Sequence, residues 1–203
     1  MKEAPLTVHL TERDRPALEA HFIALGADDR RLRFGSAIGD DGLRAYVARI
    51  DFERDGIFTV QDDDMQVLAV VHVAVVGPSA ELGLSVLPEL RGKGMGSALF
   101  ARAVMHLRNR GLREVFVHCI TENAAMMHLA RKHGMRMEFS GSESDARLVL
   151  EPPTAESRVT EWLHESHVQT IQAVRKHSRF SRALMRVFSG GIRLQGSQRL
   201  TPP

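Results

Sequence analysis

At 203 residues, 43% hydrophobic and 26% charged, the chain is long enough for one globular domain plus an appendage. No apolar run approaches the ~20 residues of a membrane span, and Met1 to Pro5 lack the apolar core of a signal peptide, so the expected location is cytoplasmic. A single cysteine, Cys119, rules out an internal disulfide, and scattered histidines (His128 and His133 stand five apart, not four) argue against a zinc pair, so no metal is expected.

Leu6, Val8 and Leu10 alternate with polar residues and read as a short edge strand. Thr11 with Asp14 forms an N-cap signature ahead of a helix carrying Leu18, Phe22 and Leu25, and Gly26 stops it. The charged run Asp28 to Phe34 fits a solvated helical turn with internal ion pairs. Asp40 or Asp41 can cap a helix bearing Leu43, Tyr46, Val47 and Ile50. Ile57 to Val60 is a strand, residues 61–64 turn, and Val67 to Val76 is a long, nearly continuous apolar strand of the kind covered on both faces. His72 interrupts it and reads as a core histidine bonded to a neighbour. Gly77 to Ser79 turn the chain into the next strand.

That strand, starting near Glu81, ends at Pro88, and Arg91-Gly92-Lys93-Gly94-Met95-Gly96-Ser97 follow. A helix pattern then opens, with Leu99, Phe100, Ala103, Val104 and Leu107 at helical spacing. Strand, glycine loop and helix N-terminus make an anion cradle. The first amides of a helix lack intrahelical partners and sit at the positive end of its dipole. Glycines remove the Cβ atoms that would hold a phosphate away, and Arg91 and Lys93 add charge. A tight surface turn would use the same glycines. Neither GxxxxGK[ST] nor GxGxxG occurs, so Walker-type and dinucleotide loops are not indicated. Residues 109–111 stop the helix, Val115 to Ile120 form a strand, and a hairpin from Met135 to Leu150 closes the domain.

Residues 91–96 resemble the Arg/Gln-x-x-Gly-x-Gly/Ala motif of the GNAT superfamily of acyl-CoA-dependent N-acyltransferases. One helix and one strand later, Asn123 to Met135 resemble that family's Asn-x-x-Ala-x-x-Leu-Tyr-x-x-x-Gly-Phe helix. The likeness spans roughly residues 5–150. It implies an α/β fold: a mixed, mostly antiparallel sheet, splayed in the middle, with helices on both faces. It implies acetyl-CoA as co-substrate, with its pyrophosphate on residues 91–97. The strand at Leu84 and Val86 would meet the pantetheine arm, and Asn123 would bond backbone or pantetheine. Arg33 and Phe34 are similar to an Arg-Phe segment of bacterial protein lysine acetyltransferases and would form a substrate-side wall.

Amine acylation needs a polarised thioester, a neutral amine and a stabilised leaving thiolate. Glu81, ten residues before Arg91, is the candidate general base, with Glu122 and the Asp62 to Asp64 turn as weaker alternatives. The family's tyrosine, which serves the thiolate, falls on Ala130. A water, His128 or His133 would substitute, or the thiolate leaves unaided. Cys119 reads as a buried strand residue. The expected reaction is acetyl transfer to a primary amine, of a small molecule or a protein lysine; a catalytically inactive acyl-CoA-binding regulator is the alternative.

Past residue 151 a separate extension, 152–203, begins at Pro152 and Pro153. Val159, Trp162, Leu163, Val168 and Ile171 give a helix, and Arg179, Arg182 and Arg186 mark a basic face beyond it. From Ser166 onward there are seven basic and no acidic residues, which leaves residues 1–165 with a net charge of −5. Packing on its own domain or on a second subunit of a homodimer is the expected role of this arm. Membrane-surface contact is less favoured, and nucleic acid is not expected, since no aromatics interleave the basic residues.

Overall fold

A computed structural model describes residues 5–191, with side chains to residue 173. The arginine face expected at Arg179, Arg182 and Arg186 therefore lies outside the described side chains, as do the residues from 192 onward.

Strand β1 (Thr7–His9) leads through a 3-10 turn into helix α1 (Arg15–Ile23). The Asp14 carboxylate accepts from both the amide and the hydroxyl of Thr11, at 2.9 Å each, and Pro16 sits in the first turn, where a missing N–H costs nothing. Helices α2 (Ala27–Phe34) and α3 (Asp40–Ala48) follow. Gly39, not an aspartate, is the N-cap of α3; Asp40 and Asp41 lie in its first turn, where the helix dipole favours them. Strands β2 (Gly56–Gln61), β3 (Val67–Val76) and β4 (Ser79–Val86) form a meander. Helix α4 (Met95–Asn109), β5 (Glu114–Ile120), α5 (Ala124–Lys132), β6 (Arg136–Ser140) and β7 (Glu143–Val149) complete the domain.

The seven strands run in the order β1-β2-β3-β4-β5-β7-β6. All neighbours are antiparallel except β4 and β5. That parallel pairing is brief: Ser79, Ala80 and Glu81 face Glu114, Val115 and Phe116, and no further pairs form. Beyond Glu81 the two strands part, and β4 keeps a partner only in β3.

Alternation along β3 explains its apolar run. Ala69, Val71 and Val73 enter a core with Leu99, Phe100 and Leu107 of α4. Val70 enters a second core with Leu18, Phe22, Leu43 and Val47 of α1 and α3. Both faces of the sheet are thus covered, and each fully buried Leu or Phe contributes about 1.5–3 kcal/mol.

After Pro153 a single helix, α6 (Ala155–Gly191), replaces the two segments the periodicity suggested. Its first half lies on the domain. Arg102 of α4, 3% exposed, donates to Glu161 (2.5 Å) and Glu165 (2.7 Å) and stacks over Phe58 at 4.5 Å. Asn109 donates to Glu161 at 2.6 Å, and Val168 is buried among the α1 and α3 residues. Burial pushes the Glu161 carboxyl up, but His106, Asn109 and Arg102 outweigh it and hold the pKa at about 2. Since an unperturbed glutamate titrates at 4.5, this contribution is complete above that pH and is lost as the pH falls from 4.5 toward 2. Glu161→Gln should therefore lower stability at neutral pH by up to about 3 kcal/mol and flatten the acid limb of melting temperature against pH. Melting identical to wild type across pH 2–7 would mean that the cluster does not hold α6.

Candidate active site

Where β4 has parted from β5, a cavity of about 400 Å³ lies between β4, α2, the glycine loop and α5. Leu84, Val86, Arg91, Gly92, Gly94, Met95, Gly96, Ser97 and Asn123 all line it; Lys93, although in the loop, is exposed and is not in the wall.

The loop has the build of an anion cradle. Gly92 and Gly94 hold φ of +73° and +85°, which L side chains rarely adopt. Gly94 caps α4 without any side-chain bond, and no turn or cap hydrogen bond takes up the amides of residues 92–97. At Gly96 the backbone is ordinary, and an added Cβ would meet Leu84 and Leu129 only at 3.6 and 3.7 Å. The protein's own packing therefore does not require glycine there. These orphaned amides, at the N-terminus of a 15-residue helix, fit the pyrophosphate of a coenzyme A.

Helix α2 spans the gap. Asp29 pairs with Arg91 at 2.5 Å, Arg31 pairs with Glu122 at 2.7 Å, and the Asn123 amide donates to the Leu32 carbonyl at 3.0 Å. Asn123 Oδ1 accepts from the Met126 amide at 3.0 Å, so both polar ends of this side chain bond backbone, one of them as the N-cap of α5. The exposed Glu122, held below the usual carboxylate range by its hydrogen bond to Arg31, is an ion-pair partner. Asp62 caps its own turn through the amides of Asp64 and Gln66.

A second cavity of about 240 Å³ opens on the α2 and α3 side of the sheet, lined by Arg33, Phe34, Tyr46, His72, Glu81 and Gly83 among others. Glu81 stands at the last β4 position paired with β5, opposite Phe116, half-buried, and its carboxylate makes no hydrogen bond or ion pair among the described residues. Cys119 reaches this wall from β5, but burial pushes its thiol up, with Asp145 adding to the effect, which makes it a poor nucleophile.

Arg33 belongs to both cavities. Its guanidinium lies across Gly83, where an added Cβ would stand 2.1 Å from Cζ, so only glycine leaves room for it. Nη2 donates to the Tyr46 hydroxyl at 3.1 Å, and Phe34 and Tyr46 present their rings at 4.8 and 5.9 Å. Behind Tyr46 a buried line continues to His72 Nδ1 (2.6 Å) and from His72 Nε2 to Asp55 (3.2 Å). Burial, reinforced by Arg33, drops the His72 pKa to about 4 against the pull of Asp55, so the ring is neutral at pH 7. With Asp55 ionised, Nε2 carries the proton, and Nδ1 accepts from the Tyr46 O–H. The Tyr46 oxygen is left as an acceptor, which fixes Arg33. His72 is the buried, hydrogen-bonded histidine the sequence suggests; its partners Tyr46, the chain's single tyrosine, and Asp55 were not legible there.

Ala130, the position expected to carry a tyrosine, is 1% exposed and packed in the core of α4 and α5. Of its suggested substitutes, His128 lines the larger cavity, whereas His133 is stacked on Phe100 at 4.3 Å and bonded to the Ser97 hydroxyl at 2.9 Å.

The chain belongs to the Acetyltransferase (GNAT) family, whose sequence profile matches residues 18–135. A mycothiol acetyltransferase of Cellulomonas flavigena is 41% identical over 104 residues. That match takes in 45% of this chain but only 30% of the relative's length. The fold is similar to the GNAT domain of S. lividans PAT (TM-score 0.61, 17% identity, 71% of this chain and 89% of that one). It is also similar to a spermidine N-acetyltransferase from Vibrio cholerae, solved with CoA and spermine (TM-score 0.56, 19% identity, 71% and 95%).

Proposed function

We propose that the protein moves an acetyl group from acetyl-CoA to the nitrogen of a primary amine, with Glu81 as general base. The observation that carries this reading is the pairing of two cavities at one break in the sheet: unpaired amides of residues 92–97 on one side and an unpaired carboxylate on the other. Acetyl-CoA supplies the activated acyl group. The loop amides and Arg91 bind its diphosphate, and the edge of β4 at Leu84 and Val86 aligns the arm toward the break. Glu81 takes the ammonium proton of the acceptor and passes it to solvent; the nitrogen then bonds to the acyl carbon, the carbon–sulfur bond breaks to release the thiolate, and the extra proton on nitrogen leaves to Glu81 or to the thiolate. The buried Ala130 cannot protonate the sulfur. A thiol of pKa about 8.5 leaves as its anion far more readily than an alkoxide would.

The test is a calorimetric titration with CoA, followed by thiol release from acetyl-CoA across a panel of small amines and lysine peptides. CoA binding with turnover of at least one amine is expected. Binding with no turnover on any amine would favour a regulator that senses acyl-CoA, and no CoA binding would remove both readings.

A further inference from the structure

Arg33 is a guanidinium without a carboxylate. Among the described residues its single polar partner is the Tyr46 hydroxyl, Nε is buried with no partner, and no ion pair reaches it. Leaving a half-buried cation unpaired is costly, and here the Asp55–His72–Tyr46 line and two aromatic rings hold it in place between the cavities. Glu81, the other unpaired charge of the smaller cavity, points from the same face of β4. It lies two residues from the Gly83 that Arg33 covers, about 7 Å along the strand. The two charges are opposite in sign, yet they make no ion pair with each other.

None of the other groups of this wall forms an ion pair with Arg33 or Glu81, although the charge of Glu81 adds to that of Asp145 in raising the His118 pKa. His72 is neutral, the Cys119 thiol is protonated, and His118 is bonded to Asp145 at 2.8 Å. A chamber of about 240 Å³ is smaller than a drug-sized site and suits a small acceptor head.

We infer that the acceptor is zwitterionic, carrying a carboxylate beside its reactive amine: Arg33 binds the carboxylate while Glu81 faces the ammonium, as in an α-amino acid. A guanidinium fork donates to a carboxylate through paired N–H groups, whereas a polyamine would bring a second cation against Arg33. This assignment rests on the acetyl-transfer reading above and narrows it.

The experiment compares L-leucine with L-leucinamide, and L-lysine with cadaverine, by thiol release from acetyl-CoA with wild type and Arg33→Met. Wild type should favour the carboxylate-bearing member of each pair. Arg33→Met should reduce that preference by roughly 10- to 100-fold, a ratio of ratios in which the different basicities of the amines cancel. A second arm is independent of turnover: N-acetyl-L-leucine and its amide are titrated into the protein with and without CoA, and only the acid should bind, with binding lost in Arg33→Met. Equal binding of acid and amide, or of neither, would overturn the inference, as would a preference that survives Arg33→Met. A uniform loss on all acceptors with unchanged melting would move Arg33 to the thioester and also overturn it. Failure of CoA itself to bind would instead strike the acetyl-transfer reading, while the CoA-free titration still decides whether Arg33 takes a carboxylate.

Discussion

Glu81→Gln should lower kcat/KM for amine acetylation by about 10²- to 10⁴-fold, the range expected for loss of a positioned general base, while leaving CoA affinity unchanged. Glutamine keeps the size and hydrogen-bonding oxygen of the side chain but cannot take a proton. The separation of effects follows from geometry. Glu81 lines only the smaller cavity, and the cradle amides belong to the larger one, so the substitution touches the acceptor and not the cofactor. Because the Glu81 carboxylate makes no hydrogen bond or ion pair among the described residues, its replacement orphans no group there, and the melting temperature should barely change. Steady-state thiol release read beside a CoA titration decides the matter. Equal turnover by wild type and variant would remove Glu81 from the chemistry and turn attention to Tyr46, with His72 behind it, and to His118, which line the same cavity.

The second large effect concerns the glycine loop, where two substitutions should part company in stability while agreeing in binding. Gly94→Ala places a side chain at φ +85°, which costs about 1–2 kcal/mol of backbone strain and should lower the melting temperature. Gly96→Ala sits in the first turn of α4 with ordinary backbone and no clash, so removing a helical glycine should stabilise the fold by up to about 1 kcal/mol. Both methyl groups nonetheless intrude on a cradle whose amides must come within hydrogen-bond reach of a phosphate, and each should weaken CoA binding by roughly 10-fold or more, given the ~1.5–3 kcal/mol of a hydrogen bond to a charged group. Gly96→Ala is the sharper of the two, because a more stable protein that binds CoA less well cannot be explained by misfolding. If Gly96→Ala binds CoA as tightly as wild type, the diphosphate does not rest on these amides.

The elements that local pattern governs were legible in order. β3 spans Val67–Val76 as its apolar run suggested, and α4 opens at Met95, within the glycine-rich run rather than after Ser97. The family was legible too, because its two motifs lie in contiguous stretches whose backbone requirements are written in residue type, Gly92 and Gly94 most plainly. Errors fell where a short-range cue had an equal competitor. Gly39 took the cap expected of Asp40 or Asp41, and α6 runs unbroken from Ala155 to Gly191.

The sequence by itself determined the acyltransferase-like frame: the strand, the glycine turn, the helix start, and the carboxylate ten residues upstream of Arg91. Only the tertiary structure decided what stands opposite that carboxylate. Arg33 over Gly83 joins positions 50 residues apart, Tyr46 and His72 are separated by 26, and Glu161 reaches back 59 residues to Arg102. Such meetings depend on how far β4 diverges from β5 and on which helix lies across the opening. No local periodicity carries that information, because it arises from packing both faces of one sheet at once.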